Sequence, residues 1–496
     1  MRTSGILMHV SSLPGSYGIG TMGAEARTFL DFLEKAGQSY WQVLPLSPTG
    51  CGNSPYQAFS AFAGNHYLID LDTLVEEGLL RQEELEGIHW GQNPGRVDFG
   101  ALYENRCKVL YKAYERFIGM PNRAFQQFVK SNTWLPDYGL FMALKEEFSG
   151  AEWLSWPEGL RLRNPAEMQK YREKLKYKIV FQYFLQFKFF EQWTKLRAYA
   201  KDKGIGIIGD VPMYVPLDSA DVWANPGFFQ LDEQRRPTMV AGVPPDAFTA
   251  DGQLWGNPLY DWNRMKESGY AWWMRRLEAA SHMYDVIRLD HFRGFESYWA
   301  VPAEDSTAKN GQWLPGPGED FIRAIHENLP NLEFIAEDLG YLTPEVRKLQ
   351  QDSGYPGMKV LEFAFDSREP SDYLPHAYTK NTVCYTGTHD NQTLQQWLDE
   401  ASPEKMEYAR EYMGLNDREG YAWGVIRSGM ASVSDRFVAQ IQDYLGLGAN
   451  SRMNFPGSLS SDNWTWRVQK GLFTDALAEK IKYLTHMYGR DGDRNK

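Results

Sequence analysis

DVIRLDHFRG, residues 285–294, is a short apolar run that stops at charged side chains. The same pattern occurs in three other stretches: GIGIIGDVP (204–212), EFIAEDLG (333–340) and VCYTGTHDN (383–391). Each run has the length and composition of a buried strand. In a barrel of parallel strands the carboxyl ends of all strands open on one face. The four stretches therefore predict a barrel with acidic side chains gathered on one face.

Along the rest of the chain, short β-branched or apolar runs alternate with longer helical patterns, such as Ala24–Lys35 and Pro344–Asp352. Alternating strands and helices favour a parallel sheet, and eight such units suggest closure. The sequence predicts an α/β fold, a (β/α)₈ TIM barrel, with an open doubly wound sheet as the competing fold. The eight candidate strands are Gly5–Val10, Tyr40–Pro45, Ile205–Asp210, Asp285–Leu289, Glu333–Glu337, Lys359–Phe363, Thr382–Gly387 and Phe437–Gln442.

The spacing of these strands is uneven. About 160 residues separate the second from the third, and about 75 separate the third from the fourth. A decorated barrel can exceed about 400 residues as one catalytic unit. We therefore predict one catalytic barrel over residues 1–496, with inserted subdomains at about 51–200 after the second strand and about 211–284 after the third.

The overall composition excludes several classes of protein. A formal net charge of −12 and the lack of a basic stretch argue against nucleic acid as a partner. No run reaches the ~18 apolar residues of a membrane span, and the N-terminus lacks a secretory pattern. The three cysteines are widely spaced, so they indicate neither a disulfide framework nor a metal pair. These features predict a cytoplasmic protein.

Arg288 and Asp290 lie two residues apart on a predicted strand, so their side chains share a face. A guanidinium favours the ionised form of a neighbouring carboxylate, which suits a nucleophile. The alternative is a buried ion pair that only braces the barrel. His291 follows directly and adds a hydrogen-bonding group to this cluster.

Glu337 could play the complementary role of a general acid, which needs its proton at neutral pH. Burial near Asp290, Asp338 and Asp390 would raise its pKa. Alternatively, Glu337 and Asp338 could cap the helix that begins near Pro344.

His389, Asp390 and Asn391 form a hydrogen-bonding cluster that could hold sugar hydroxyls. A metal site is the alternative, but neither HExxH nor a paired-histidine spacing supports it. Three carboxylates, one attacking, one exchanging a proton and one holding the sugar, fit glycoside chemistry. A GxGxxG match at 18–23 is too far from its strand for a dinucleotide fingerprint.

These motifs resemble a known family. The chain is similar end to end to the 4-α-glucanotransferases (amylomaltase or disproportionating enzyme) of glycoside hydrolase family 77 in the α-amylase superfamily. The resemblance implies a (β/α)₈ barrel with inserted subdomains and no separate C-terminal β-sandwich domain. The matching blocks are SGILMHVSSLPGSYGIGTMG, SPYQAFSAFAGN, GDVPMYVPLDSADVWANP, GVPPDAFTADGQLWGNPLYDW, IRLDHFRG, AEDLG, YTGTHDN and RMNFPGS.

The same resemblance implies roles for individual residues. Asp290 would be the nucleophile, Glu337 the general acid/base and Asp390 the transition-state stabiliser. Trp255, in the loop Gly242–Trp262, would belong to a lid over the groove. The other substrate-binding positions implied are Ser54, Tyr56, Gln57, Asp210, Arg288, His291, His389, Asn391 and Asn463.

The implied reaction is transfer of an α-1,4-glucan segment to the 4-hydroxyl of glucose or a maltooligosaccharide. It would follow a retaining double displacement through a covalent glucanosyl-enzyme, without a metal or organic cofactor. Two alternatives remain open. An α-glucan hydrolase would use the same carboxylates with water as acceptor, and a non-catalytic glucan-binding protein would keep the aromatic loops alone.

Overall fold

A computed structural model describes residues 1–245, 249–340, 342–366 and 371–492 of the chain. Within them the structure forms twelve β-strands. The strands are β1 (Thr3–Leu7), β2 (Tyr40–Gln42), β3 (Gly206–Val211), β4 (Met239–Val243), β5 (Gln253–Pro258), β6 (Val286–Leu289), β7 (Ser297–Pro302), β8 (Gln312–Pro315), β9 (Glu333–Ala336), β10 (Gly357–Val360), β11 (Thr382–Tyr385) and β12 (Arg436–Gln440).

Eight of the strands close into a barrel in the order β1-β12-β11-β10-β9-β6-β3-β2. Every neighbouring pair runs parallel, from β1 against β12 round to β1 against β2. The predicted (β/α)₈ barrel is therefore confirmed, and the open doubly wound sheet is excluded because no barrel strand is an edge. Each of the eight predicted runs contains or overlaps one barrel strand.

Helices fill the connections of the barrel, and two of them match predicted bounds closely. The run at Ala24–Lys35 is helix α1, and the pattern predicted to start at Pro344 is helix α13. The helices are α1 (Ala24–Lys35), α2 (Leu71–Glu76), α3 (Phe99–Ile118), α4 (Arg123–Ser131), α5 (Leu135–Glu147), α6 (Glu158–Arg161), α7 (Pro165–Lys174), α8 (Lys176–Asp202), α9 (Ala220–Ala224), α10 (Trp262–Glu267), α11 (Ala271–Ser281), α12 (Gly318–Asn328), α13 (Pro344–Ser353), α14 (Leu394–Glu400), α15 (Pro403–Met413), α16 (Tyr421–Ala431), α17 (Ile441–Tyr444) and α18 (Asp475–Met487).

The long segment between β2 and β3 is helical and is anchored by α8. The aromatic run Phe181–Trp193 supplies the buried face of this helix, with Phe184, Phe189 and Trp193 almost wholly removed from solvent. Burying one such side chain contributes about 1.5–3 kcal/mol. Trp193 also donates its indole N–H to the carbonyl of Met283, 3.0 Å away, ahead of β6. The segment is thus fastened to the barrel by packing and by a hydrogen bond.

A second, antiparallel sheet has the order β5-β4-β7-β8 and was not anticipated from the sequence. Two of its strands follow β3 and two follow β6, so it joins two separate connections of the barrel. The predicted lid loop Gly242–Trp262 contributes β5 to this sheet, while its residues 246–248 lie outside the described residues. The proposed division into inserted subdomains stays a prediction.

Among the helices of the described residues, none combines the length and the apolar character that crossing a bilayer requires.

Candidate active site

A cleft of about 1080 Å³ opens at the carboxyl ends of the barrel strands. Eleven of the thirteen residues singled out from the sequence line it, and the remaining two, Asp210 and His389, lie buried directly behind it. The tertiary structure therefore brings together positions that are more than 400 residues apart in the chain. The eleven are Ser54, Tyr56, Gln57, Trp255, Arg288, Asp290, His291, Glu337, Asp390, Asn391 and Asn463.

Arg288 is the centre of the charged network on the floor of the cleft. Its Nη1 donates to both oxygens of Asp210, at 2.9 and 2.7 Å, and to Oδ1 of Asp290 at 2.9 Å. The register of β3 against β6 places Asp210 beside Arg288, and the Tyr56 hydroxyl donates to Asp210 Oδ2 at 2.8 Å. Arg288 thus pairs with Asp210 on the neighbouring strand and with Asp290 after its own strand, and the role of Asp290 as nucleophile stays a prediction.

Burial shapes the ionisation of this network. Removal from water raises the pKa of Asp210, while the charge of Arg288 opposes the rise. Burial also works to lower the pKa of Arg288, but the carboxylates of Asp210 and Asp290 hold it well above its ordinary value. Arg288 is therefore a permanent cation. Asp290 keeps 27% of its side chain exposed toward the cleft beside this cation.

Glu337 lies at the end of β9 in a contrasting environment. Its Oε2 accepts the backbone N–H of His291 at 2.7 Å, and its Oε1 accepts that of Leu339 at 3.1 Å. Burial raises the pKa of Glu337 to about 8, with Arg288 opposing the rise and the charge of Asp290 adding to it. A carboxyl oxygen has two lone pairs, so a proton can occupy the one that the N–H group leaves unused. Glu337 is accordingly a protonated acid near neutral pH.

The neighbouring Asp338 has a structural hydrogen bond of its own. Its Oδ1 accepts the backbone N–H of Met358 at 2.6 Å, so this carboxyl fastens β9 to β10. The cap of α13 is Thr343, whose hydroxyl accepts the N–H of Val346 at 3.4 Å. The alternative in which Glu337 and Asp338 cap this helix is therefore wrong.

His291 directly follows Asp290 in the chain and donates its backbone N–H to Glu337, so its backbone connects the residues that carry these two carboxyl groups. It adopts φ 50° and ψ 49°, a left-handed conformation that residues other than glycine seldom take. Burial lowers the pKa of its imidazole to about 4, so the ring is neutral at pH 7. The ring packs nearly perpendicular to Trp255, with 4.8 Å between centroids. The turn after Asp290 thus aims one N–H at Glu337 and one neutral ring at the cleft.

Asp390 follows β11 and is held by the C-terminal segment. Asn454 donates its side-chain N–H to Asp390 Oδ1 at 2.6 Å, and Arg452 donates to the Asp390 carbonyl at 2.9 Å. The ring of His389 stacks on Tyr56 at 5.2 Å and its Nε2 lies 3.4 Å from Asp390 Oδ2. These contacts orient the third carboxylate toward the cleft.

Two further predicted positions, Asn391 and Asn463, are engaged in local structure at the wall of the cleft. Asn391 Oδ1 accepts both the N–H and the hydroxyl of Thr388 at 2.8 Å, which closes the turn that carries Asp390. Asn463 Oδ1 accepts the N–H of Phe455 at 3.0 Å and so shapes the loop beside Asn454. Both side chains therefore act on loop conformation in the form the structure shows.

Several lining residues were missed by the sequence analysis. Arg293 and Asn454 stand inside quoted blocks but had no role assigned to them. Tyr214 and Trp313 also line the cleft, and no periodicity or spacing singles them out. Their positions depend on non-local contacts of the antiparallel sheet and of the connection after β3.

In the part of the chain that the structure describes, no three His, Cys, Asp or Glu side chains are grouped as metal ligands would be.

Comparison with known proteins gives a consistent result. The family model of glycoside hydrolase family 77, described as 4-alpha-glucanotransferase, matches residues 8–474. A 4-alpha-glucanotransferase of Clostridium butyricum is 48% identical over 97% of this chain and 100% of its own length. One of Thermus thermophilus is 46% identical over 97% of this chain and 98% of its own.

Solved structures agree. An amylomaltase from Streptococcus agalactiae, in complex with acarbose, is 42% identical and superposes with a TM-score of 0.97 over 99% of this chain and 100% of that one. An amylomaltase from Corynebacterium glutamicum, 20% identical, shares the fold with a TM-score of 0.76 over 99% of this chain and 75% of that one. The chain therefore belongs to glycoside hydrolase family 77, the 4-α-glucanotransferases.

Proposed function

We propose that this protein transfers α-1,4-glucan segments by a retaining double displacement, with Asp290 as nucleophile, Glu337 as general acid/base and Asp390 as transition-state stabiliser. The observation that carries the proposal is the contrast between two carboxyl groups in one cleft. Asp290 contacts the permanent cation Arg288 at 2.9 Å, whereas burial raises the pKa of Glu337 to about 8. Opposed ionisation of neighbouring carboxyls is how acid and nucleophile are distinguished in glycosidases.

In the first step Glu337 donates its proton to the glycosidic oxygen. Arg288 holds Asp290 Oδ1, and Asp290 Oδ2 attacks the anomeric carbon. The bond between that carbon and the glycosidic oxygen breaks, and the reducing-side fragment leaves with the proton. A glucanosyl ester on Asp290 remains, and Glu337 is now a carboxylate.

In the second step the Glu337 carboxylate removes the proton from the 4-hydroxyl of an acceptor. The acceptor oxygen attacks the same anomeric carbon, and the ester bond to Asp290 breaks. Two inversions restore the α configuration, and the proton returns to Glu337. Positioned proton transfer of this kind contributes about 10²–10⁴-fold to the rate.

The remaining side chains bind the donor sugar. Asp390, oriented by Asn454 at 2.6 Å, accepts hydrogen bonds from hydroxyl groups of the distorted glucose ring. Tyr56 lines the cleft and offers a flat surface to that ring, and the buried ring of His389 supports it by stacking at 5.2 Å. Aromatic surfaces with polar edges match the apolar faces and hydroxyl rims of a sugar.

Transfer is distinguished from hydrolysis by the acceptor. The same floor would serve a hydrolase, and what favours transfer here is membership of the 4-α-glucanotransferase family together with the apolar and aromatic side chains that line the cleft. The substrates that fit are α-1,4-glucans and maltooligosaccharides as donors, with glucose or maltooligosaccharides as acceptors.

Incubation of the purified protein with maltotriose, without phosphate or cofactor, tests this function. Longer maltooligosaccharides and glucose should appear while the number of reducing ends stays constant. A rising number of reducing ends without longer products would show that water is the acceptor, and the transferase proposal would be wrong.

A further inference from the structure

Trp313 is a large aromatic side chain that remains exposed inside the cleft. It lies on β8, keeps 41% of its surface exposed, and lines the same cavity as Asp290 and Glu337. The reaction derived above gives it no task. An exposed indole at the wall of a binding cleft is therefore a candidate for a ligand contact.

The ring of Trp313 is held in one orientation. The guanidinium of Arg293 lies over one face, with its central carbon 4.0 Å from the ring centroid. The register of β7 against β8 pairs Trp313 with Trp299, whose ring packs edge-on at 5.3 Å. Arg293 is itself buried, so the contacts that hold the ring are shielded from water while 41% of the Trp313 surface stays exposed.

Trp299 is anchored in turn. Its indole N–H donates to the carbonyl of Ala308 at 2.8 Å. A Cβ atom on Gly311 would lie only 2.3 Å from the Trp299 ring nitrogen, so this close approach requires glycine. The support of Trp313 is thus a packed assembly, and its rotamer costs little further entropy when a ligand binds.

The location of Trp313 indicates which half of the cleft it serves. Glu337 must stand beside the glycosidic oxygen, which leaves with the acceptor-side fragment. The backbone of His291 binds Glu337 at 2.7 Å, and Arg293 follows two residues later to carry Trp313. Tyr56, which is assigned to the donor ring, is instead bound through its hydroxyl to Asp210 at 2.8 Å.

We propose that Trp313 is a stacking platform for the acceptor, contacting a glucose unit beyond the one whose 4-hydroxyl reacts. The proposal rests on the function proposed above and extends it to acceptor selection. Glucose alone does not reach the platform, whereas maltotriose does. Trp313 therefore makes the enzyme favour oligosaccharide acceptors over glucose and water.

The test separates the acceptor from the donor. 4″-Deoxy-α-maltotriosyl fluoride serves as donor, because its fluoride leaving group occupies no acceptor position and because, without the terminal 4-hydroxyl, it is not itself an acceptor. Fluoride release reports the first step, and reducing-end-labelled glucose, maltose or maltotriose reports the second. The variants are Trp313→Ala and Trp313→Phe. Trp423→Ala is the matched control, because the Trp423 ring also has a cation over its face, Lys480 at 3.6 Å, but does not line the cleft.

For Trp313→Ala we expect the apparent KM for maltotriose as acceptor to rise about 2- to 10-fold, the range of one aromatic contact. The KM for glucose and the rate of fluoride release without acceptor should stay unchanged. Trp313→Phe, which keeps an aromatic face, should give a smaller rise and also serves if the alanine variant does not fold. Trp423→Ala should match the wild type throughout.

Equal KM values for maltotriose in wild type and Trp313 variants would overturn the proposal, and so would an equal rise for glucose and maltotriose. The two proposals fail separately. If the wild type makes no oligosaccharides longer than maltotriose from maltotriose alone, the proposed function is wrong. If the wild type does make them, but the KM for the acceptor is unchanged in the Trp313 variants, only the proposal that Trp313 is an acceptor platform is wrong.

Discussion

The floor and the rim of the cleft are built on different principles. The floor comprises Asp210 on β3, Arg288 on β6, and Asp290 and Glu337 directly after β6 and β9; Asp210 and Arg288 are almost wholly buried. The rim comprises Leu254, Trp255, Trp313 and Leu459 on the antiparallel sheet and the C-terminal segment, and Leu459 is 92% exposed. Charged groups occupy the buried part of the cleft, and apolar groups occupy the exposed part.

This inversion of the usual distribution follows from function. Buried charges interact strongly because water does not screen them, so the floor can hold opposed ionisation states within one cleft. Each exposed apolar side chain contributes a weak, non-directional contact, which suits a chain of glucose units that must enter and leave. We expect substitutions in the floor to change kcat by orders of magnitude and substitutions in the rim to change KM by small factors.

The largest effect is expected for Asp290→Asn. The amide cannot form the ester intermediate, so kcat for maltotriose disproportionation should fall about 10⁴-fold or more, while the protein stays folded. Asp285→Asn is the matched control, because Asp285 precedes the same strand and its carboxylate pairs with Arg197 at 2.7 Å at the opposite end of the barrel. Initial rates of glucose release measure both variants.

If the Asp290→Asn variant had the same kcat as the wild type, Asp290 would not be the nucleophile. A large loss in Asp285→Asn as well would mean that the barrel, rather than the floor, had been damaged.

The next effect concerns Glu337 and pH. With a pKa of about 8 the carboxyl is protonated below that pH and loses its proton above it, so kcat/KM should decline as pH rises past about 8. Glu337→Gln should lower kcat/KM for maltotriose about 10²–10⁴-fold and abolish that limb of the pH profile. With α-maltotriosyl fluoride, whose leaving group needs little protonation, the loss in the first turnover of fluoride release should be much smaller.

Glu333→Gln provides the control for this prediction, since Glu333 opens the same strand β9 and pairs with Arg436 away from the cleft. An unchanged basic limb in Glu337→Gln, or an equal loss with both donors, would contradict the acid assignment.

The smallest effect is expected in the rim, for Trp255→Ala. Loss of the ring that packs on His291 at 4.8 Å should raise KM for maltotriose about 2- to 10-fold and shift the distribution of product lengths, with kcat changed less. Chromatography of the products at matched conversion measures the shift. Unchanged rates and product sizes would show that the loop 242–262 does not act as a lid.

Local sequence predicted much of the fold because barrel strands have a strong local signature. The run Val286–Leu289 is apolar, short and followed by charge, and it is β6 in the structure. The eighth strand was the least regular pattern, yet β12 lies where it was placed, shifted by one or two residues. The three carboxylate positions followed from the same logic, since strand ends meet on one face.

The amino-acid sequence by itself was therefore enough to predict the eight barrel strands and the acidic residues at their ends, because each of these depends on hydrophobic patterning over fewer than ten residues. Tertiary structure decided the rest. The sheet β5-β4-β7-β8 pairs strands from two connections, which no local pattern encodes. Burial set the pKa of Glu337, and the pairing of Trp299 with Trp313 placed an aromatic platform in the cleft. Pairing and burial arise only when distant segments meet, because the free energy of both resides in contacts between them.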